Sequence, residues 1–164
     1  SAASDNLSLR RSWWRTNQSD VDDPSNQPEL YRVSTGDSAS SRYTDNGTGT
    51  VTDNQHHLTW QQQDDGVGRN WSDAAAYCSS LSLAGYSDWW LPSIDQLFTL
   101  VDTSFSNPAL DTAYFPNARS APYWASTSRV DDTSRAWQVY FSNGSLNYDL
   151  KTGVIYVRCV RTGS

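Results

Sequence analysis

Two cysteines, Cys78 and Cys159, stand roughly 80 residues apart in a chain of 164, and no other cysteine competes with them. Neither sits in a C-x-x-C motif, so the spacing suits neither a redox dithiol nor a zinc site. One long-range disulfide is the natural reading, and it implies an oxidising compartment. In the chain-entropy model, closing such a loop stabilises the fold by about 4 kcal/mol. The other reading is two free thiols buried in a core, since free cysteine is among the most buried residue types.

The length suits one domain of ordinary size. Eight Trp, nine Tyr and four Phe are spaced by Asn, Asp, Ser and Thr, a mixture for short strands and many turns. Twelve basic residues face 18 acidic ones, a net charge of -6. No basic run long enough to track a phosphate backbone is present, which argues against nucleic acid as a partner. No apolar run is long enough to cross a membrane, so membrane insertion is not expected. The chain has no methionine and no signal peptide, as expected of a processed or excised piece of a longer protein.

Residues 1–41 are polar and poor in aliphatics, and are expected to form an N-terminal arm or linker. Within them Arg10-Arg11-Ser12-Trp13-Trp14-Arg15 is either a ligand patch or an aromatic anchor tacking the arm onto the domain. From Arg42 to the end a folded domain, 42–164, is expected. Tyr43 to Asp53 reads as a tight hairpin around Asn46-Gly47, and Leu58 to Gln61 as a short strand. Asn70 is a suitable N-cap for a helix from Trp71 to about Leu83, stopped by Gly85. That helix carries Cys78 on its apolar face with Trp71, Ala74, Ala75 and Leu81. Ser93 and Gln96 spell a capping box for a second helix with the stripe Ile94, Leu97, Phe98 and Val101.

An irregular excursion over 103–122 is anchored by Leu110, Tyr114 and Phe115. The remainder reads as strands: 123–127, 136–141, 146–150 and 154–160, the last closing the same sheet. Alternation puts Trp137, Val139 and Phe141 inward and Gln138, Tyr140 and Ser142 outward. The fold class is α+β, two helices and a terminal antiparallel sheet.

Several of these segments together resemble a bacterial family, the C-terminal domain of the Legionella collagen-like protein (Lcl), formerly a domain of unknown function. They are YTDNGTGTVTD (43–53), LTWQ (58–61), NWSDAAAYC (70–78), LAGYSDWWLP (83–92), PALDTAYFPN (108–117), YWAST (123–127) and YVRCVR (156–161). The resemblance runs from about residue 42 to the end. It implies a C-type-lectin-like fold, in which a cysteine of the first helix pairs with one of the last strand, here Cys78 with Cys159. It also implies an extracellular adhesin-type domain associated with sulfated glycosaminoglycans and with trimers. Trp90 stands where the family usually has Arg, so any contact made by that arginine is lost. Thr48 stands where the family usually has Asp, which weakens a calcium reading of that loop.

A nucleophile needs a base within reach, and the only histidines, His56 and His57, are read as turn residues without an evident partner. Asp64/Asp65 and Asp131/Asp132 are neighbours in loops. Enzymes of the broader fold class that activate sulfatases use reactive cysteines, whereas both cysteines here look structural. No catalytic residues are therefore assigned. Calcium is a candidate only through scattered oxygen donors at Asp45, Asn46, Asp53 and the Asp pairs, with no complete D-x-D-x-D-G loop. No cofactor is assigned, and the Glu-Pro-Asn sugar signature of C-type lectins is absent.

Trp60, Trp71, Trp89, Trp124 and Trp137 fall at periodic positions expected in the core. Ligand contacts are expected on the later loops and the exposed sheet face: Arg129, Asp131, Asp132, Arg135, Gln138, Tyr140, Asn147, Tyr148 and Asp149. The resulting expectation is a secreted or cell-surface adhesin-type module that binds a glycan. The acidic balance favours a neutral glycan, or a protein, over a sulfated ligand. The alternatives are a display domain for proteins or peptides, varied over 124–158, and a structural trimerisation cap.

Overall fold

The structure is a computed structural model and describes residues 41–163. The expected N-terminal arm, with its Trp13-Trp14 patch, lies outside the described residues.

The first sheet has the order β1-β2-β3-β7, from β1 (Tyr43–Asp45), β2 (Thr50–Asp53), β3 (Leu58–Gln61) and β7 (Val160–Thr162), all antiparallel. Gly47 and Gly49, both at positive φ, make the turn between β1 and β2. The second sheet is β4 (Pro122–Ser128), β5 (Arg135–Tyr140) and β6 (Ser145–Leu150), also antiparallel, with an irregularity in β4 between Trp124 and Ser128. The expectation that the C-terminal segment closes the sheet of β4 to β6 is corrected. β7 pairs with β3 instead, and the stretch before it meets the rest through single bridges, Arg69 with Ile155 and Tyr123 with Tyr156.

Helix α1 (Trp71–Ser79) begins where expected, with the Asn70 side chain accepting from the Asp73 N–H at 2.8 Å. It ends sooner. Ser79 and Ser80 turn their hydroxyls onto the carbonyls of Ala76 and Tyr77, and Ser80 is the C-cap. Side-chain bonds of this kind compete with helix continuation. Gly85 is not the stop. With Ala84 it forms a tight turn at positive φ that Leu83 and Tyr86 close by mutual backbone bonds. Helix α2 (Ile94–Phe98) carries the full capping box of Ser93 and Gln96. Leu97 and Leu100 enter the core from this region, while Phe98 is exposed.

The second sheet separates two cores. On one face Tyr123, Ala125, Val139 and Phe141 pack with Leu97, Leu100, Phe115 and the first sheet's Val51 and Trp60. On the other, Trp124 and Ala136 pack with Ala74, Val157 and the half-cystines. The disulfide joins Cys78 to Cys159 with Cα atoms 5.5 Å apart. Cys159 precedes β7 directly, so the bond fastens α1 to the first sheet.

Covering both faces of β5 overrides the alternation read from the sequence. Gln138, expected outward, is 5 % exposed, and Trp137, expected inward, is half-buried. Trp60, Trp89 and Trp124 are buried as expected, whereas Trp71 is half-buried and gives its indole N–H to the Ala125 carbonyl. Beyond both cores β6 projects as the edge strand, and all six of its residues are exposed.

Candidate functional site

The loop from Arg129 to Arg135 is shaped by two backbone bonds, Arg129 N–H to the Arg135 carbonyl and Arg135 N–H to the Asp132 carbonyl, each 3.0 Å. Arg129 is clamped bidentately by Asp131, with Nε 2.7 Å from Oδ1 and Nη2 against Oδ2. Its guanidinium lies over the Tyr148 ring, 3.9 Å from the centroid. Tyr148 in turn meets Trp137 edge to face at 5.5 Å. Arg135 donates from Nε to Asp132 Oδ2 at 3.0 Å, and Asp132 also accepts from Ser134. The Arg129 contact holds the Asp131 carboxyl below its ordinary value, and the Ser134 hydroxyl does the same for Asp132.

These contacts cancel the loop's charges pairwise. Arg129, Asp131, Asp132, Arg135 and Tyr148 do come together, but the two arginines are held by their own loop. The same chemistry recurs elsewhere. Arg69 lies over Tyr77 at 3.9 Å while bound to both oxygens of Asp65, and Arg161 lies over Tyr86 at 3.7 Å while bound to both oxygens of Asp88. An arginine pressed on tyrosine by a carboxylate is thus a repeated device for fastening surface segments. At Arg129 it orders the loop that borders β6.

The other four expected residues divide differently. Gln138, Tyr140, Asn147 and Asp149 belong to the opposite face of the second sheet, since β5 and β6 pair Gln138 with Asn147 and Ala136 with Asp149. Tyr140, Asn147 and Asp149 are exposed there, but buried Gln138 is not available to a ligand. The nine residues therefore flank two surfaces that meet only around the β6 edge.

On the Tyr148 face the exposed neighbours are aliphatic. Leu146, Tyr148 and Leu150 line one side of β6 at 49, 40 and 43 % exposure, and Val130 at the loop tip is 99 % exposed. Sequence reasoning passed over Leu146, Leu150 and Val130 because it sought polar contacts. The available signal was the Leu-x-Tyr-x-Leu spacing of Leu146, Tyr148 and Leu150 along the strand.

Away from this surface, three further groupings bear on chemistry. His56 is not without a partner, as the sequence suggested. Its Nδ1 lies 2.9 Å from Oδ2 of buried Asp53, which also accepts from both arms of Arg42 and from two backbone N–H groups. Burial opposes ionisation of Asp53, but the Arg42 and His56 contacts prevail and hold its carboxyl below the ordinary value. No nucleophile joins this pair in the described contacts, and the cluster braces the hairpin against the Thr99 carbonyl through Arg42.

Asp64, expected as a solvated loop residue, is buried. It accepts from the Tyr123 hydroxyl at 2.5 Å and from Arg119 at 3.4 Å, and lies 3.6 Å from Arg158, itself 1 % exposed. Arg158 spends Nη1 on the carbonyls of Gln61 and Gln62, both at 2.7 Å. Burial pushes the Tyr123 hydroxyl up to about 12.

The scattered donors considered for calcium are occupied by protein groups: Asp45 by Gly47 N–H and Gln62, Asp131 and Asp132 as above. Among the described residues no group of three or more His, Cys, Asp or Glu is gathered as metal ligands. Trp90 gives its indole N–H to Gln96 Oε1 and so supports the capping box.

Fold and surface together define an α+β domain, fastened by one disulfide, that presents an ordered loop beside a fully exposed edge strand. The chain belongs to the Lcl C-terminal domain family, whose model matches residues 49–161. The match begins within the first hairpin turn, so β1 precedes it. The family is that of a domain of collagen-like bacterial surface proteins and is not known as catalytic. Comparison with the curated proteins found no match. Among the described residues no helix is long and apolar enough to cross a membrane.

Proposed function

We propose that this domain is a non-catalytic, extracellular binding module on a C-type-lectin-like scaffold, and that it takes a folded protein on the Tyr148 face of β6. The observation that carries this reading is the exposed stripe Leu146, Tyr148 and Leu150 along one side of β6. A rigid tyrosine backed by tryptophan and arginine is the composition of a protein hot spot, and the exposed leucines on either side extend the apolar area a partner would cover. Pairing of Arg129 with Asp131 and Arg135 with Asp132 leaves the patch apolar at its centre and close to neutral at its rim. Its complement is an apolar patch on a partner rather than a sulfated polymer. A surface-displayed adhesin would use such a face at the end of a stalk, and the disulfide suits an oxidising exterior.

A glycan on the opposite face is the second reading. Tyr140 is exposed there beside Asn147 and Asp149, an aromatic ring with an amide and a carboxylate. The oxidised domain should be screened on an array of extracellular proteins and on a glycan array, each with and without calcium. The Leu146→Ser/Tyr148→Ser/Leu150→Ser variant is expected to lose the protein hits, and Tyr140→Ala to keep them. Glycan hits lost on Tyr140→Ala would overturn the assignment in favour of the second reading. Blanks on both arrays would refute binding and leave a structural role as a trimerisation cap, read from the oligomeric state.

A further inference from the structure

We infer that Asn147 and Asp149 are guards that close the free edge of β6 to strand addition. The ladder between β5 and β6 runs from the Tyr140–Ser145 pair to the Arg135–Leu150 pair, and is continued by a Lys151 N–H bond to the Ser134 carbonyl at 2.9 Å. Hydrogen-bonded and non-hydrogen-bonded pairs alternate in an antiparallel ladder. With Ser134 and Lys151 bonded, the pairs at Asp149, Asn147 and Ser145 face β5, and the amides of Leu150, Tyr148 and Leu146 face outward.

Two of those three outward amides are already taken. The Asn147 side chain folds back to accept from the Tyr148 N–H at 2.8 Å, and the Asp149 side chain accepts from the Leu150 N–H at 2.7 Å. The Leu150 carbonyl is taken as well, by the Gly153 N–H at 2.8 Å. Ser145 precedes Leu146 and instead gives its own N–H to Asn143 Oδ1. An incoming strand needs these amides as donors. Before it could pair, both side chains would have to swing away.

An exposed edge strand with apolar residues at alternate positions is otherwise a template for pairing with a second copy. The guards let β6 keep Leu146, Tyr148 and Leu150 in solvent without that outcome. Where the face of β6 is the contact surface, which rests on the function proposed above, a partner is met through side chains and not by β-augmentation.

Amide hydrogen exchange of the wild-type domain, read residue by residue, tests the guards directly. Tyr148 and Leu150 should exchange between about threefold and tenfold more slowly than Leu146, the range a single net hydrogen bond supplies. Asn147→Ala/Asp149→Ala should abolish that difference and raise the mass seen by light scattering at high concentration. Asn147→Asp/Asp149→Asn keeps both acceptors and should behave as wild type. Equal, fast exchange at Leu146, Tyr148 and Leu150 in the wild type overturns the inference even if the alanine variant fails to fold. So does a folded alanine variant whose exchange pattern and mass match the wild type. Neither result touches the protein-array test, so the two proposals fail separately.

Discussion

Replacing Arg158 with methionine removes a buried guanidinium while keeping most of the side chain's length. The change should cost about 3–5 kcal/mol, the range for breaking one partner out of a buried ion pair. The structure says where that cost arises. The carbonyls of Gln61 and Gln62 each lose a charge-assisted bond of 2.7 Å, and an orphaned buried acceptor costs about 1–3 kcal/mol. Asp64 keeps the Tyr123 hydroxyl and half-exposed Arg119, so its charge is only partly uncompensated. Asp64→Asn retains an acceptor for Tyr123 and removes the charge. The double variant should therefore cost less than the sum of the two single changes by about 1 kcal/mol or more, within the range for residues in one network. Urea unfolding of the oxidised domain, followed by tryptophan fluorescence, measures all three. A loss below about 1 kcal/mol for Arg158→Met, or strict additivity in the cycle, would refute the account of this cluster as a stabilising network.

Removing the disulfide as Cys78→Ala/Cys159→Ala should lower stability by about 4 kcal/mol in the chain-entropy model, measured by urea unfolding against the oxidised parent. Asn70→Ala and Ser93→Ala should each cost about 1 kcal/mol by loss of a helix cap, and their effects should add because they cap different helices. Asp53, Asp65, Asp88, Asp131 and Asp132 all titrate below their ordinary value of 3.8 in the folded state. A depressed folded value means that the unfolded chain takes up protons first. The contribution is thus complete above the ordinary value and is lost as pH falls from there through the folded values. Thermal midpoints should be flat above about pH 5 and fall steeply below about pH 4, and a midpoint insensitive to acid across that window would contradict the sign.

Much of the fold was legible where its causes are local. Asn70 and the Ser93–Gln96 box could be read from a few adjacent residues because a cap is satisfied within one turn. The first hairpin was legible for the same reason, since its turn depends on Gly47 and Gly49. The end of α1 was missed because Ser79 and Ser80 stop the helix by back-bonding, a weaker signal than the later Gly85. Gln138 was misplaced because period-two reading assumes one wet face, and β5 has a core on each side. The buried role of Asp64 could not be read locally at all. Its partner Tyr123 lies 59 residues along the chain, and an aspartate beside another in an Asp-Asp-Gly loop has the composition of a solvated turn.

The candidate surface followed the same division, with a consequence for how such sites are sought. The polar residues expected to grip a ligand are, in large part, engaged with each other or with the backbone: Arg129 with Asp131, Arg135 with Asp132, Asn147 and Asp149 with the strand edge. On the Tyr148 face the groups left to solvent are apolar, Leu146 and Leu150, around a tyrosine fixed by Arg129 and Trp137. Polar side chains here act as framing that orders the loop and closes the edge, and they set the orientation of a small apolar face. Substituting the frame should change stability and self-association, whereas substituting the face should change binding with the fold intact. Those separable outcomes make the distinction between scaffold and site at β6 an experimental one.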